Sequence, residues 1–306
     1  MTRRSIFFLF ILTLWALPLQ AAVTVVDDMG RTVTLDAPAR RIVSLAPHIT
    51  ELLFAAGAGA RVVGTVRYSD YPEAANDIPR IGDAAQLDME RIVSLKPDLV
   101  VAWHSSLPAD AREQLTSLGF TLYISEPRAV TDIAGDITAL GRLAGTEATA
   151  RAAAAAFSHG VLALRQHYRG AAPVSVFYQI WDRPVMTVNG DHFISHLLSL
   201  CGGRNVFADL RPLSASVSPE AVVAADPQAM VAGVGKEAHR DVFARWRSWT
   251  AVNAVRMNNL FTVPADLINR PTPRLLLAAQ QLCRDLDTAR RRMDKAGSAA
   301  HNAHAN

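Results

Sequence analysis

MERIVSLKPDLVV, residues 89–101, returns in pattern though not in letters as PEAVVAADPQAMV, residues 219–231. Each stretch reads helix, apolar run, proline, strand. Proline lacks the backbone donor and fixes φ, so it ends a helix before the next element starts. One such copy in each half of a 306-residue chain predicts two related α/β units. The length suffices for two ordinary domains.

Around the first copy, short apolar runs at 41–45, 62–66, 99–103 and 121–124 alternate with helical patterns at 51–56 and 110–118. Runs of four or five apolar residues between helices indicate a buried parallel sheet. Ahead of them, VTVVDDMGRTVTL at 23–35 reads as a β-hairpin turning at Asp28-Met29-Gly30. Thr50 is expected to cap the helix at 51–56 and Gly57 to close it. Around the second copy, strands are expected at 174–180, 230–234 and 260–263. Asp191 should cap a helix at 192–200, and Ser218-Pro219-Glu220 should open another. Glu51 in one half and Glu220 in the other then stand alike, each in the first turn of a helix.

Between the halves, residues 131–167 contain no proline. Ile133, Ile137, Leu140, Ala144, Ala148, Ala152, Ala155 and Leu164 fall near a 3.6-residue period. This predicts one long helix, about 55 Å if continuous, with Gly145-Thr146 as the point where it would break. The chain divides into a leader at 1–21, a lobe at 22–130, a connecting helix at 131–169, a second lobe at 170–288 and a tail at 289–306. A final amphipathic helix should run from Pro273 to about Arg292, and the small polar residues beyond it should be disordered. The fold class is α/β: two similar Rossmann-like lobes with parallel sheets, joined by a backbone helix, with a ligand cleft between them.

Arg3 and Arg4, the uncharged run IFFLFILTLWAL at 6–17 and the small pair Ala21-Ala22 form the three parts of an export signal. The run is short of the about 20 residues that a membrane span needs. With no cysteine near the cleavage site, a lipid anchor is not expected, and the mature chain should be soluble and periplasmic. The formal charge of +3 belongs to the ends, which hold six of the 31 basic side chains and one of the 28 acidic ones. The remaining body is slightly acidic and offers no field for nucleic acid. The chain has two cysteines, Cys201 and Cys283. In an oxidising compartment an even count favours a disulfide, and two buried free thiols are the alternative.

Catalytic signatures do not occur. There is no G-x-G-x-x-G after a strand, no G-x-S-x-G, no H-E-x-x-H and no C-x-x-C. An enzyme reading has no positive support. His192 and His196 share a helix face, but a helix-start residue and a half-buried one explain them as well as a metal would. No metal site is assigned. His48 and His104 each follow a predicted strand, where open α/β sheets place their ligands. The aromatics say more. Trp103 and Trp181 end strands in the two halves, and Tyr68 and Tyr71 lie in the loop YSDYP. Aromatics at the mouths of parallel strands suit a large, flat, partly apolar ligand. Trp246 and Trp249 are expected to pack between helices or against a surface.

The ordered set RRIVSLAPHITELLFAAGAGARVVGTVRYSDYP, MERIVSLKPDLVVAW, LCGGRNVF, VSPEAV and PRLLLAAQQLC resembles the helical-backbone substrate-binding proteins of ABC importers. Within that family, YSDYP, the AW ending and AAQQLC resemble the cobalamin-binding branch. The likeness covers about residues 40–287. It implies two lobes, a corrinoid cargo with no resident cofactor, and a monomer that meets an inner-membrane permease and its ATPase. It implies that Glu51 and Glu220 dock on permease arginines and that Cys201 and Cys283 are bridged. It carries Tyr68, Trp103, Phe177 to Trp181, Asp266 and Arg270 into the cleft. Two departures stand out: Leu267-Ile268 replaces an aromatic pair, and His104 follows Trp103 as a possible metal ligand. Haem or a ferric siderophore is the alternative cargo within the same fold, and a cleft enzyme is the alternative of another class.

Overall fold

Two parallel sheets with the same strand order form the frame. The computed structural model describes residues 22–83, 86–235 and 241–304. The leader expected at 1–21 lies outside them. The first lobe starts with the hairpin β1 (Val23–Val26) and β2 (Thr32–Leu35). Then come β3 (Ile42–Ser44), α1 (Pro47–Ala55), β4 (Val62–Thr65), α2 (Met89–Ser94), β5 (Leu99–Trp103), α3 (Ala109–Ser117) and β6 (Leu122–Ser125). The sheet order is β4-β3-β5-β6, all parallel. β3 and β6 are buried along their whole length, as strands covered by helices on both faces must be.

The connector is two helices rather than one. α4 (Asp132–Leu143) stops at Gly145, and α5 (Glu147–His167) restarts. Gly145 has φ +61°, its N–H bonds to Arg142 O, and Thr146 N–H bonds to Gly141 O. That is the Schellman end of a helix, which needs a residue free to adopt positive φ. α4 folds back on α5, and a Cβ on Gly141 would lie 2.1 Å from Ala150 Cβ. The predicted 55 Å rod is therefore corrected to a helical hairpin in which α5 alone, about 31 Å long at 1.5 Å per residue, joins the lobes. It touches α1 on one side and two helices of the second lobe on the other.

The second lobe holds β7 (Val174–Gln179), β8 (Trp181–Asp182), β9 (Val185–Val188), α6 (Phe193–Leu200), β10 (Gly203–Asn205), β11 (Ser214–Ser216), α7 (Pro219–Ala225) and β12 (Ala229–Val234). After these come α8 (Asn253–Arg256), β13 (Leu260–Pro264), α9 (Ala265–Ile268) and α10 (Leu275–His304). The parallel sheet is ordered β10-β7-β12-β13, the same sequence of crossovers as in the first lobe. A separate three-stranded antiparallel sheet, β11-β9-β8, has no counterpart among the described residues of the first lobe, whose antiparallel pair is the hairpin β1-β2.

One hydrophobic core runs through both lobes. Leu52, Leu53 and Tyr123 of the first, Phe157 of α5, and Val176, Tyr178 and Leu282 of the second belong to the same cluster. A smaller cluster fills the far face of each sheet. Cys201 and Cys283 are bridged, tying the end of α6 to α10 across 82 residues. α10 continues to His304, so the described part of the tail expected to be disordered, residues 289–304, is helical instead. Ala289 is buried, and Arg290 bonds to Ala172 O and Asp287, so the tail begins as anchored helix.

Candidate functional site: a cleft between the lobes

In an open parallel sheet the ligand crevice lies at the carboxyl ends of the strands where the order reverses. That point falls between β3 and β5 in one lobe and between β7 and β12 in the other. The residues just past these strands face one another. Pro47, His48, Tyr68, Asp70 and Trp103 meet Gly235, Asp266, Asn269 and Arg270 around a cavity of about 550 Å³. Across Gly235 a second cavity of about 750 Å³ is lined by Gln179, Trp181, Asp182, Arg183 and Arg245, among others.

Three aromatics set the walls. Tyr68 is 69% exposed and Trp181 62%, large apolar faces that a folded chain normally covers. Tyr68 sits at φ +67°, where a side chain other than glycine's is disfavoured, so the surroundings must hold it there. Its carbonyl accepts a bond from Arg270 Nη2 at 3.0 Å. Trp103 is half-buried and packs edge-on against His48, with ring centroids 4.9 Å apart. Trp181 Nε1 donates to Arg183 O, which fixes its ring on the antiparallel flap.

The floor is polar and bridges the lobes. Glu51 accepts from Arg270 Nη1 at 2.9 Å and from Arg274 Nε and Nη2 at 2.8 and 2.6 Å. Arg270 also donates to Asp70 at 2.8 Å, and Arg274 meets Asp266 at 3.3 Å while its guanidinium lies over the Tyr71 ring. His48 is buried, and its Nε2 has no hydrogen-bond partner. Burial and the neighbouring Arg270 lower its pKa to about 3, so the imidazole is neutral.

Several expectations need correction here. Glu51 is not an exposed helix-start carboxylate: its side chain is 2% exposed and ion-paired. The cause is the helix start. Pro47 occupies the first turn of α1, so the helix begins about one turn before Thr50. Thr50 is interior, and its hydroxyl bonds to Ser44 and Thr65 instead of capping. Phe177 is fully buried in the second lobe's far core, with ring centroids 5.8 and 5.6 Å from Phe207 and Trp246. It faces away from the cleft. His104 bonds through its backbone to Ser125 and lines neither cavity. His192, not Asp191, caps α6, with Nδ1 accepting from Ile194 N–H. Tyr68, Trp103, Asp266 and Arg270 do come together, and Trp181 lines the adjoining cavity.

Other residues emerge only from the structure. Arg274 and Asp70 complete the floor. Glu220 is exposed at the second helical position of α7, whose cap is Ser218. The equivalent position of α2, after its cap Asp88, is Glu90, and it too is exposed. The shared pattern at 89–101 and 219–231 holds that signal, because it aligns Glu90 with Glu220 directly.

The family model described as periplasmic binding protein matches residues 42–267. The vitamin B12-binding protein of Vibrio cholerae is 37% identical over 255 residues, covering 83% of this chain and 91% of that one. The vitamin B12-binding protein of Yersinia pestis is 37% identical over 276 residues, covering 90% and 95%. Among solved structures, the periplasmic vitamin B12 binding protein BtuF of Vibrio cholerae superposes with a TM-score of 0.76, covering 83% of this chain and 98% of that chain. The periplasmic heme-binding protein RhuT of Roseiflexus gives 0.71 at 25% identity, covering 82% and 99%. With two lobes, one shared core and a cleft at both switch points, the chain belongs to the periplasmic binding protein family, whose members bind substrate without transforming it.

Proposed function

We propose that this protein captures a cobalamin-type corrinoid in the interlobe cleft and hands it to an ABC importer. The observation that carries this reading is the trio of aromatic rings, Tyr68, Trp103 and Trp181, contributed by both lobes around adjoining cavities. A flat macrocycle with a polar rim can stack on such walls while its edge reaches the polar floor. The likeness to proteins named for vitamin B12 supports the same cargo. The corrinoid is cargo, not a resident cofactor. Residues 1–21 direct export in this reading.

Delivery requires a surface that both lobes present together. Glu90 and Glu220 fit that role better than Glu51. Both are exposed, both open a helix in the same position, and there is one in each lobe. Two carboxylates fixed on a rigid body give a charge-steered, two-point contact with basic groups of a permease.

The test is a titration of the mature chain with cyanocobalamin, cobinamide and hemin, read by tryptophan fluorescence and absorbance. Quenching that saturates at one equivalent of a corrinoid is expected, and Trp103→Ala should weaken it about tenfold or more. Silence with both corrinoids and a shifted Soret band with hemin would move the cargo to haem.

A further inference from the structure

Two of the three aromatic walls hang on loops of the first lobe, and each loop is held from outside the cleft by one charged side chain. Tyr68 lies in the loop that follows β4. At φ +67° its backbone occupies a region that a tyrosine keeps only under constraint. Arg80 supplies part of that constraint. Its Nη2 donates to Ser69 O at 2.9 Å and its Nη1 to Ala75 O at 3.1 Å, so one guanidinium spans the loop from the residue after Tyr68 to its far end. Arg80 is itself fixed beside the end of β4: Thr65 N–H bonds to Pro79 O at 3.0 Å, and Ile81 N–H to Thr65 O at 2.9 Å. Ser69 and Ala75 are fully buried, whereas Tyr68 is exposed. The turn after Trp103 is held in the same manner with the charge reversed. Glu126, the residue after β6, is buried. Its Oε2 accepts from Ser105 N–H at 2.9 Å and its Oε1 from Ser105 Oγ at 2.6 Å. The Glu126 N–H donates to Asp28 Oδ2 at 2.6 Å, which ties this clamp to the N-terminal hairpin. Neither Arg80 nor Glu126 lines either cavity.

Both clamps use charge-assisted bonds, and the guanidinium fork and the carboxylate pair each fix two atoms at once. A ring already in place when the ligand arrives contributes more to affinity than one that must be ordered on binding. We propose that Arg80 and Glu126 are positioning residues for ligand capture: Arg80 presets the Tyr68 wall and Glu126 presets the Trp103 wall, and neither touches the cargo. This deepens the corrinoid reading and rests on it.

The experiment is a pair of crossed double-mutant cycles on the full mature chain, with cyanocobalamin as the probe and calorimetric titration as the readout. Arg80→Met and Glu126→Gln should each weaken binding about threefold to tenfold. Tyr68→Ala and Trp103→Ala should each cost about tenfold in the wild-type background. With Arg80→Met present, Tyr68→Ala should cost less than about threefold, while Trp103→Ala keeps its full cost. With Glu126→Gln present, the two rings should exchange these roles. Arg80→Lys, one compact donor in place of a fork, stands in if Arg80→Met does not fold. Ser105→Ala, which removes only the hydroxyl half of the second clamp, stands in for Glu126→Gln. A merely structural role would change the costs of both rings alike or of neither. Additive effects in the matched pairs, equal coupling to either ring, or no cost of the ring truncations themselves would overturn the inference while the corrinoid reading stands. If wild type does not bind cyanocobalamin, that reading fails and the inference falls with it.

Discussion

The two lobes share a sheet but are stabilised differently. The far core of the first lobe is aliphatic, built from Val43, Ile92, Val100, Leu115 and Leu122. That of the second is built around Trp246, with Phe177, Met230 and Phe243 against it. The second lobe alone has a disulfide and an antiparallel flap. Both lobes bury polar groups, but of different kinds: the first holds the hydroxyl chain Ser44–Thr50–Thr65 and a carboxyl, Asp136, held by Tyr123 and Ser125, and the second holds amides, Asn205 donating to Ser195 and Val188 O and Gln179 accepting from Trp246. The frame that positions the cleft is thus duplicated, while the means of holding it are not. The duplicated parts end at the cleft, and the differing parts place Trp181 on one wall and Glu51 under the floor.

Five changes would break or sharpen that contrast. Trp246→Ala should have the largest effect, about 3–5 kcal/mol, because it opens a cavity and leaves Gln179 without its indole donor. Chemical denaturation should show it exceeding Leu115→Ala in the aliphatic core, and equal losses would mean the two cores carry similar weight. Replacing both cysteines by serine should cost about 4 kcal/mol on the loop-entropy model for 82 residues, read as a lower unfolding midpoint. A loss below about 1 kcal/mol would show that α6 and α10 are held by packing alone.

The third change concerns pH. Burial, then the nearby Asp28 carboxylate, pushes Asp136 up to about 7. The folded-state value lies above the unfolded one near 3.8, so the native state binds more protons between them. This group's contribution to stability therefore falls as pH rises from about 4 to 7. Asp136→Asn should flatten that part of the pH–stability profile, and an unchanged profile would rule the group out. The smallest effect on stability, within about 0.5 kcal/mol, is expected for Glu90→Ala and Glu220→Ala, both exposed. Their consequence should appear instead as slower corrinoid uptake through the importer, with ligand affinity unchanged. Glu51→Ala should reverse this, costing about 2–3 kcal/mol because Arg270 and Arg274 each lose one acid partner and keep only Asp70 and Asp266.

The repeated pattern at 89–101 and 219–231 made the two-lobe frame legible, because proline and strand follow the helix in both copies. Aromatics at strand ends made the cleft legible for the same reason: the strand end is where the switch point lies. Other features depended on finer signals. Glu51 was misplaced by one helix turn, although Pro47 marks the true start of α1. Phe177 could not be assigned a side, since β7 is buried on both faces and shows no alternation. The flap strand β8 is two residues long, below the length at which periodicity speaks. The break between α4 and α5 was visible at Gly145, but the folding back of one helix on the other depends on contacts such as Gly141 with Ala150.

The central claim is that one core-linked, two-lobed body holds a corrinoid between Tyr68, Trp103 and Trp181. A crystal structure of the mature protein with cyanocobalamin tests it most directly. The expected result is one corrinoid per chain in the cleft, its ring against those side chains, with Glu51 still paired to Arg274 and little lobe rotation. A corrinoid bound elsewhere, or lobes closing through a wide hinge that splits the shared core, would contradict it.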